Sequence, residues 1–305
     1  MRVVITGASG TIGTALTSSL RQRGDDVMAL SRDADHGRRA LGEGVEVHVW
    51  SDPLAAPPPS DALRGADAVV HLLGEPIAQR WTDEAKRRIR DTRVLATRQL
   101  VAGLGGLGED ERPRVLVSQS ATGYYGARDA APLDEDASAG TDFLAEVVKA
   151  WEHEANQAPA GMRVAMTRTG IVLSPSGGAL ARMLPFFKLG LGGPVAGGAQ
   201  YMPWIHLDDV VGALRCALDG EQASGPVNVT SPNPVTNEQL GRALGRVLHR
   251  PAALPVPGLA VKLLYGEMAA VVTTGQRALP VKLQRLGYRF AHPELEEALR
   301  DVLGG

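Results

Sequence analysis

Short aliphatic runs alternate along this chain with longer stretches whose apolar residues recur every three or four positions. Val3-Val4-Ile5 is a β-branched run of strand length, followed by Ala15, Leu16 and Leu20 at helical spacing and by Gly24 where a helix ends. Further strands are expected at Val27-Met28-Ala29-Leu30, at the alternating Val45 to Trp50, at Asp67 to Gly74, at Val115-Leu116-Val117-Ser118 and at Arg163 to Leu173. Helical patterns run from Trp81 to Leu104, over Phe143–Glu152, from an Asp cap after Trp204–Leu207 on to Leu218, and from Glu238 to Leu248 behind a cap at Thr236 or Asn237. Met183, Leu184, Phe186 and Phe187 form a short amphipathic helix inside a glycine-rich stretch, and Arg250 to Gly305 reads as two or three short helices. Strands that alternate with helices predict an α/β chain with a parallel sheet.

The first βα unit carries the most specific signal. Gly7, Gly10 and Gly13 lie between the first strand and the first helix, so Gly7, Ser9, Gly10, Thr11, Ile12 and Gly13 form a phosphate cradle. Unpaired amides and the positive end of the helix dipole point at whatever lies over such a turn. Past the second strand the chain offers Ser31 and Arg32, with Asp33 one position later. An arginine there accommodates a ribose 2′-phosphate, whereas an acid takes the 2′-hydroxyl; Ser31 and Arg32 favour NADP(H), with Asp33 on a ribose as the alternative. Asp52 after the third strand is either an adenine neighbour or a turn residue. Leu72, Leu73 and Gly74 end the fourth strand at the carboxyl edge of the sheet, where they pass beneath the adenosine and its ribose.

Composition narrows the partners. With 305 residues the chain makes one large or two modest domains. Its net charge is −2 with acids and bases interspersed, so no basic stripe points to nucleic acid or a membrane surface. The single cysteine, Cys216, lies in an apolar helical pattern and reads as a core thiol, so no disulfide and no metal site is expected. The chain enters its first strand without an apolar leader, and no apolar run is long enough to span a bilayer; a cytoplasmic protein with a small-molecule substrate is expected. Monomer and homodimer both stay open.

With Thr6 ahead of it, TGASGTIG resembles the extended branch of the short-chain dehydrogenase/reductase superfamily. That resemblance implies that Ser120, in Ser120-Ala121-Thr122-Gly123-Tyr124-Tyr125-Gly126, hydrogen-bonds the reacting carbonyl or alcohol. It places Arg93 where relatives carry a cofactor-facing asparagine, so that it touches phosphate or the nicotinamide ribose, unless it is an exposed helical charge. It also puts the backbone of Ile171 and Val172 at the nicotinamide carboxamide. The superfamily's Tyr-x-x-x-Lys pair is missing. In Phe143 to Glu152 the tyrosine position falls on Leu144 and the lysine position on Val148, with Lys149 about 100° around the helix. Tyr124 or Tyr125 is the substitute phenol, or else packs over the cofactor.

HLLGEPIAQRW, SATGYYG, FLAEVVKAWE, RTGIVLSPSGGALARMLPFFKLGLGG, QYMPWIHLDD and NVTSPNPVTN to LGRVLHRP together resemble one atypical extended group. It is the epimerase-like family of the short-chain dehydrogenase 39U type, with GEMA and LPVKLQRLGYRF resembling its appended domain of unknown function. The resemblance implies a Rossmann doubly wound parallel sheet over residues 1–172, completed by about 204–230. Residues 173–203 and 231–305 would form a smaller, mostly helical substrate domain. It implies an NADP(H)-dependent, epimerase-like oxidoreductase acting on a small hydroxyl or carbonyl compound such as a nucleotide-linked sugar. The missing acid/base pair raises a rival from another class, a cofactor-binding sensor or scaffold.

Overall fold

The computed structural model describes residues 1–128 and 130–304. Seven strands form one parallel sheet: β1 (Arg2–Thr6), β2 (Asp26–Ser31), β3 (Glu46–Val49), β4 (Ala68–His71), β5 (Val115–Ala121), β6 (Arg163–Thr169) and β7 (Gly225–Val229). Their spatial order is β7-β6-β5-β4-β1-β2-β3, so the winding reverses between β1 and β4 and opens a crevice at the carboxyl ends of those strands. The longer helices are α1 (Thr11–Gln22), α2 (Ala34–Leu41), α3 (Asp83–Gly105), α4 (Phe143–Ala155), α5 (Gly178–Lys188), α6 (Leu207–Asp219), α7 (Asn237–Val247), α8 (Gly258–Tyr265) and α9 (Leu295–Leu303). Among the described residues, no helix is long and apolar enough to cross a membrane.

Period-two geometry explains why the strands are apolar throughout. Val3 and Ile5 of β1 bury into one core with Leu16 and Leu20 of α1 and Leu214 and Leu218 of α6. Val4, between them, faces the other way into a second core with Ala96, Leu100 and Leu104 of α3. A third cluster lies outside the sheet and joins Leu180 and Leu184 of α5, Trp204, Leu240 and Leu244 of α7, and Leu295 and Leu299 of α9.

Several elements differ from the sequence pattern. The fourth strand stops at His71, and Leu72 to Gly74 leave the sheet as a loop. The sixth strand ends at Thr169 rather than running on to Leu173. Beyond Gly170 the amide of Ile171 donates to Pro203 O at 2.6 Å, and Ile171–Leu173 pairs in parallel with Trp204–His206. The pattern does not announce α2, because its packing face carries Gly37 where a Cβ would press on Val47 of β3. The cap of α6 is His206, whose Nδ1 accepts the Asp208 amide; neither Asp208 nor Asp209 caps it. Asp209 is buried and accepts the Ala291 and His292 amides at 2.8 and 2.9 Å and the Tyr288 hydroxyl at 2.9 Å. It thereby ties the carboxyl-terminal segment to the sheet domain.

Candidate functional site

The elbow between β1 and α1 is built from backbone. Gly7 has φ +67°, in the left-handed region, and a Cβ there would lie 2.8 Å from Leu72 O. A Cβ on Gly13 would overlap the Gly7 carbonyl oxygen, so this glycine lets α1 start directly against the turn. The α1 N-terminus has no side-chain cap and no acid in its first turn. By contrast α2, α3 and α4 are capped by Asp33, Thr82 and Asp142, and α7 has a full capping box of Thr236 and Gln239. Exposed Ser9 and Gly10 and partly exposed Thr11 and Ile12 therefore surround amides ready for an anion.

The next strand ends flank this elbow. Arg32 is exposed and makes no ion pair or hydrogen bond among the described residues. Asp33 is tied to α2, its Oδ1 accepting the His36 amide at 2.9 Å, which lowers its pKa below the ordinary carboxylate value. Ser31 Oγ bonds Asp33 O at 2.7 Å. Exposed Asp52 accepts the Leu54 amide at 3.2 Å and so shapes the turn after β3. Leu72 and Leu73 are partly exposed, and the Leu72 amide is held by Thr6 Oγ1 at 3.2 Å. Thr6 Oγ1 also meets His71 Nδ1 at 2.7 Å, while His71 Nε2 meets Thr97 Oγ1 at 3.0 Å. Burial lowers the His71 pKa to about 4, so this ring is neutral and structural.

Beside the elbow lies a cavity of about 280 Å³. Ile12 is on its rim, Gln119 to Gly123 follow the end of β5, and Thr169 to Val172 follow the end of β6. Phe143, Leu144, Val147, Val148 and Trp151 of α4 form its apolar wall, with Ile77, Trp81 and Arg93 opposite in sequence and Tyr201 to Pro203 and Ala270 to Gln276 closing it. Ser120 is buried in this wall and donates to Glu152 Oε1 at 2.6 Å.

Two family models cover most of the chain: NAD dependent epimerase/dehydratase family over residues 3–230, and a domain of unknown function, DUF1731, over residues 256–302. The chain belongs to the NAD dependent epimerase/dehydratase family. An Arabidopsis thaliana relative named "Epimerase family protein SDR39U1 homolog, chloroplastic" is 39% identical over 99% of this chain and 87% of its own. The human epimerase family protein SDR39U1 is 34% identical over 99% of this chain and all of its own. A crystal structure of human SDR39U1 (isoform 2) with NADPH matches with a TM-score of 0.89 and 32% identity, covering both chains fully.

Not every candidate of this epimerase-family chain reaches the cavity. Leu144 and Val148, at the tyrosine and lysine positions, line it as apolar wall. Lys149 does not; it is exposed and pairs with Glu146 at 2.8 Å, because one residue of helix turns it to the solvent side. Tyr125 is fully buried behind the wall, its Oη 2.7 Å from Asn228 Oδ1 and 2.9 Å from Asp134 O, and burial pushes its pKa up to about 12. Tyr124 packs its ring on the Arg168 guanidinium, 3.4 Å from the centroid. Arg168 in turn holds both oxygens of Glu152 at 2.8 Å. The pair of tyrosines thus braces the Ser120–Glu152–Arg168 network and does not line the cavity. Ile171 and Val172 do line it, with the Ile171 amide already bonded to Pro203 O.

Arg93 is not an exposed helical charge. Its Nη1 donates to Glu75 O at 2.9 Å and Ile89 O at 3.0 Å, and its guanidinium sits 3.2 Å from where a Cβ on Gly74 would be. Residues without a sequence signal complete the wall: Gln119, Trp151, Tyr201 and the 270–276 segment come from four separate parts of the chain. Trp81, which the structure leaves just ahead of the Thr82 cap of α3, stands edge-on to Phe143 with centroids 5.2 Å apart, and only this pairing relates the two.

Proposed function

We propose that this chain binds NADP(H) across the carboxyl edge of its sheet and transfers hydride to or from a small hydroxyl or carbonyl compound in the adjoining cavity. The observation that carries this reading is the uncapped, acid-free amino terminus of α1 packed on Gly7 and Gly13, beside a cavity that begins at Ile12. The residues fit the cofactor. Gly7 to Gly13 present bare amides for a diphosphate, and Ser31 and Arg32 stand at the end of β2 for a 2′-phosphate. Asp33 spends Oδ1 on the cap of α2, so only its other oxygen is left for a ribose. Asp52 and Leu72 to Gly74 would bound the adenosine, and Ile171 and Val172 the nicotinamide. Support also comes from the human SDR39U1 structure, which contains NADPH.

NADP(H), when bound, supplies the hydride chemistry. The chain's own part is to give the site an apolar face with the α4 wall and to offer Ser120 as a hydroxyl. Since Ser120 donates to Glu152, toward the cavity it presents lone pairs that accept from a substrate alcohol. Residues 1–172 with about 204–230 would hold the cofactor, and 173–203 with 231–305 the substrate. NADPH added to purified protein should bind at micromolar affinity, and a panel of aldehydes, ketones and oxo acids should give substrate-dependent loss of nicotinamide absorbance.

A second reading has its own observation. Leu144 and Val148 leave no phenol–lysine pair on α4, and neither Tyr124 nor Tyr125 lines the cavity. A chain that senses NADPH without turnover fits this equally well. Tight NADPH binding with silence across the panel selects the sensor; turnover abolished by Ser120→Ala with NADPH affinity kept selects the enzyme.

A further inference from the structure

Among the described residues, Arg93 is the charge lining the cavity that no carboxylate balances. Only Arg93 and Asp142 among the lining residues are charged. Both oxygens of Asp142 are engaged, accepting the Ala145 amide at 3.0 Å and the Ala127 amide at 3.2 Å. Arg93 has no carboxylate partner among the described residues. The side chain of Glu75 accepts from Gln79 at 3.1 Å and lies 3.6 Å from Arg88, so it gives Arg93 only its backbone carbonyl. Nη1 is fully used, but Nη2 and Nε have no acceptor among the described residues. Burial lowers the Arg93 pKa to about 10, partly offset by Glu75, so it remains a cation at neutral pH.

Two further lining groups are left unpaired. Trp151 is 3% exposed, with the Arg93 Cζ 5.3 Å from its ring centroid, and its indole N–H has no acceptor among the described residues. The side-chain oxygen of Gln119 has no donor among the described residues, and the amide can turn either end inward. A half-buried guanidinium with free N–H groups beside a buried, unpaired indole N–H favours an oxyanion, since a charge-assisted bond to it is strong. Ile77, Trp81, Phe143, Val147 and Val148 give the cavity an apolar face beside polar Ser120, Thr122 and Thr169, which suits a ligand with an apolar body. The larger groove of about 660 Å³ between Pro194 and α7 differs here. Its Arg242 pairs with Glu238 and its Arg246 with Glu296, while exposed Arg250 donates to Lys188 O at 3.0 Å, and no unpaired indole among the described residues lies beside them.

We propose that the cavity binds a small carboxylic acid with an apolar body, an oxo or hydroxy acid, whose carboxylate is held by Arg93 and Trp151. This rests on the NADP(H) reading for its chemistry. In the reducing direction the carbonyl carbon gains hydride, the C=O double bond becomes C–O, the oxygen takes a proton from solvent, and NADPH is oxidised to NADP⁺. The oxyanion on Arg93 could instead be a phosphate of the cofactor, and the experiment separates the two sources.

Calorimetry on NADP⁺-loaded full-length protein should show 4-phenylbutanoate binding at least tenfold more tightly than 4-phenylbutanamide. Arg93→Gln should erase that preference while changing NADPH affinity less than threefold, and Arg93→Lys should keep part of it. Equal binding of acid and amide, or binding of neither, overturns the proposal. So does an Arg93→Gln protein that loses NADPH affinity tenfold yet keeps the acid preference, which assigns the guanidinium to the cofactor. If Arg93→Gln does not fold, the acid–amide pair on the unmodified protein and on Arg93→Lys decides. NADPH is titrated first. No heat at that step sinks the cofactor reading, and the acid–amide comparison on the unloaded protein still tests the carboxylate site.

Discussion

The elbow at Gly7–Gly13 and the α4 wall at Leu144–Trp151 border one cavity but are made differently. The elbow works through backbone: amides without caps, a left-handed glycine and a helix allowed close to a strand. The wall works through side chains drawn from distant segments, and behind it a buried Glu152–Arg168 pair braces Ser120 and the two tyrosines. A backbone device is read from local spacing and tolerates little substitution. A side-chain device can lose the superfamily's phenol and lysine and still keep its shape. The difference explains how one border of the cavity matches the superfamily pattern while the other departs from it.

The largest effect expected is on the wall. Glu152→Gln leaves Arg168 buried without its counter-charge, and urea unfolding should show a loss of about 3–5 kcal/mol. If the comparison is sound, whatever protein remains folded still binds NADPH within a few-fold of the original. A tenfold loss would show that the two borders are not separable.

Gly13→Ala strikes the other side. The added methyl overlaps the Gly7 carbonyl, so a destabilisation of roughly 3 kcal/mol is expected together with loss of measurable NADPH binding. An unchanged calorimetric titration would break the elbow assignment.

Acid probes the join between elbow and sheet. His71 has its pKa lowered to about 4 by burial, against roughly 6.5 when unfolded, so the unfolded chain binds more protons between these values. Stability is then full above about pH 6.5 and falls as pH drops toward 4, by roughly 2 kcal/mol at pH 5. Chemical denaturation at pH 8 and pH 5 should show this difference, and His71→Gln should flatten it. A slope that survives in the variant would move the titration elsewhere.

The smallest effect is selective. Arg32→Ala should weaken NADPH roughly tenfold through loss of a charge-assisted bond and leave NADH nearly unchanged. Equal losses for both dinucleotides would remove the 2′-phosphate from Arg32.

The sheet was legible because strands buried on both faces need unbroken apolar runs, and β1, β2 and β5 have them. Strand ends were less legible: Leu72 to Gly74 are as apolar as the strand they leave, and nothing local to Gly170 announces that Ile171 will turn to Pro203. Arg93 shows the limit best. Its neighbours in sequence are exposed arginines on α3, and whether it faces solvent or a cavity depends on Glu75, Gly74 and Trp151, none of them within one helical turn.

By itself the sequence determined the order of the sheet's strands along the chain, the phosphate elbow and the absence of a phenol–lysine pair on α4. These follow from spacing within a few residues, where backbone geometry is the governing constraint. Only the tertiary structure decided that Tyr125 is bonded behind the wall, that Lys149 faces away and that Arg93 lines the cavity with no carboxylate partner among the described residues. Burial and partnership of a side chain are set by groups far along the chain, and it is those that give a charge or a hydroxyl its chemistry.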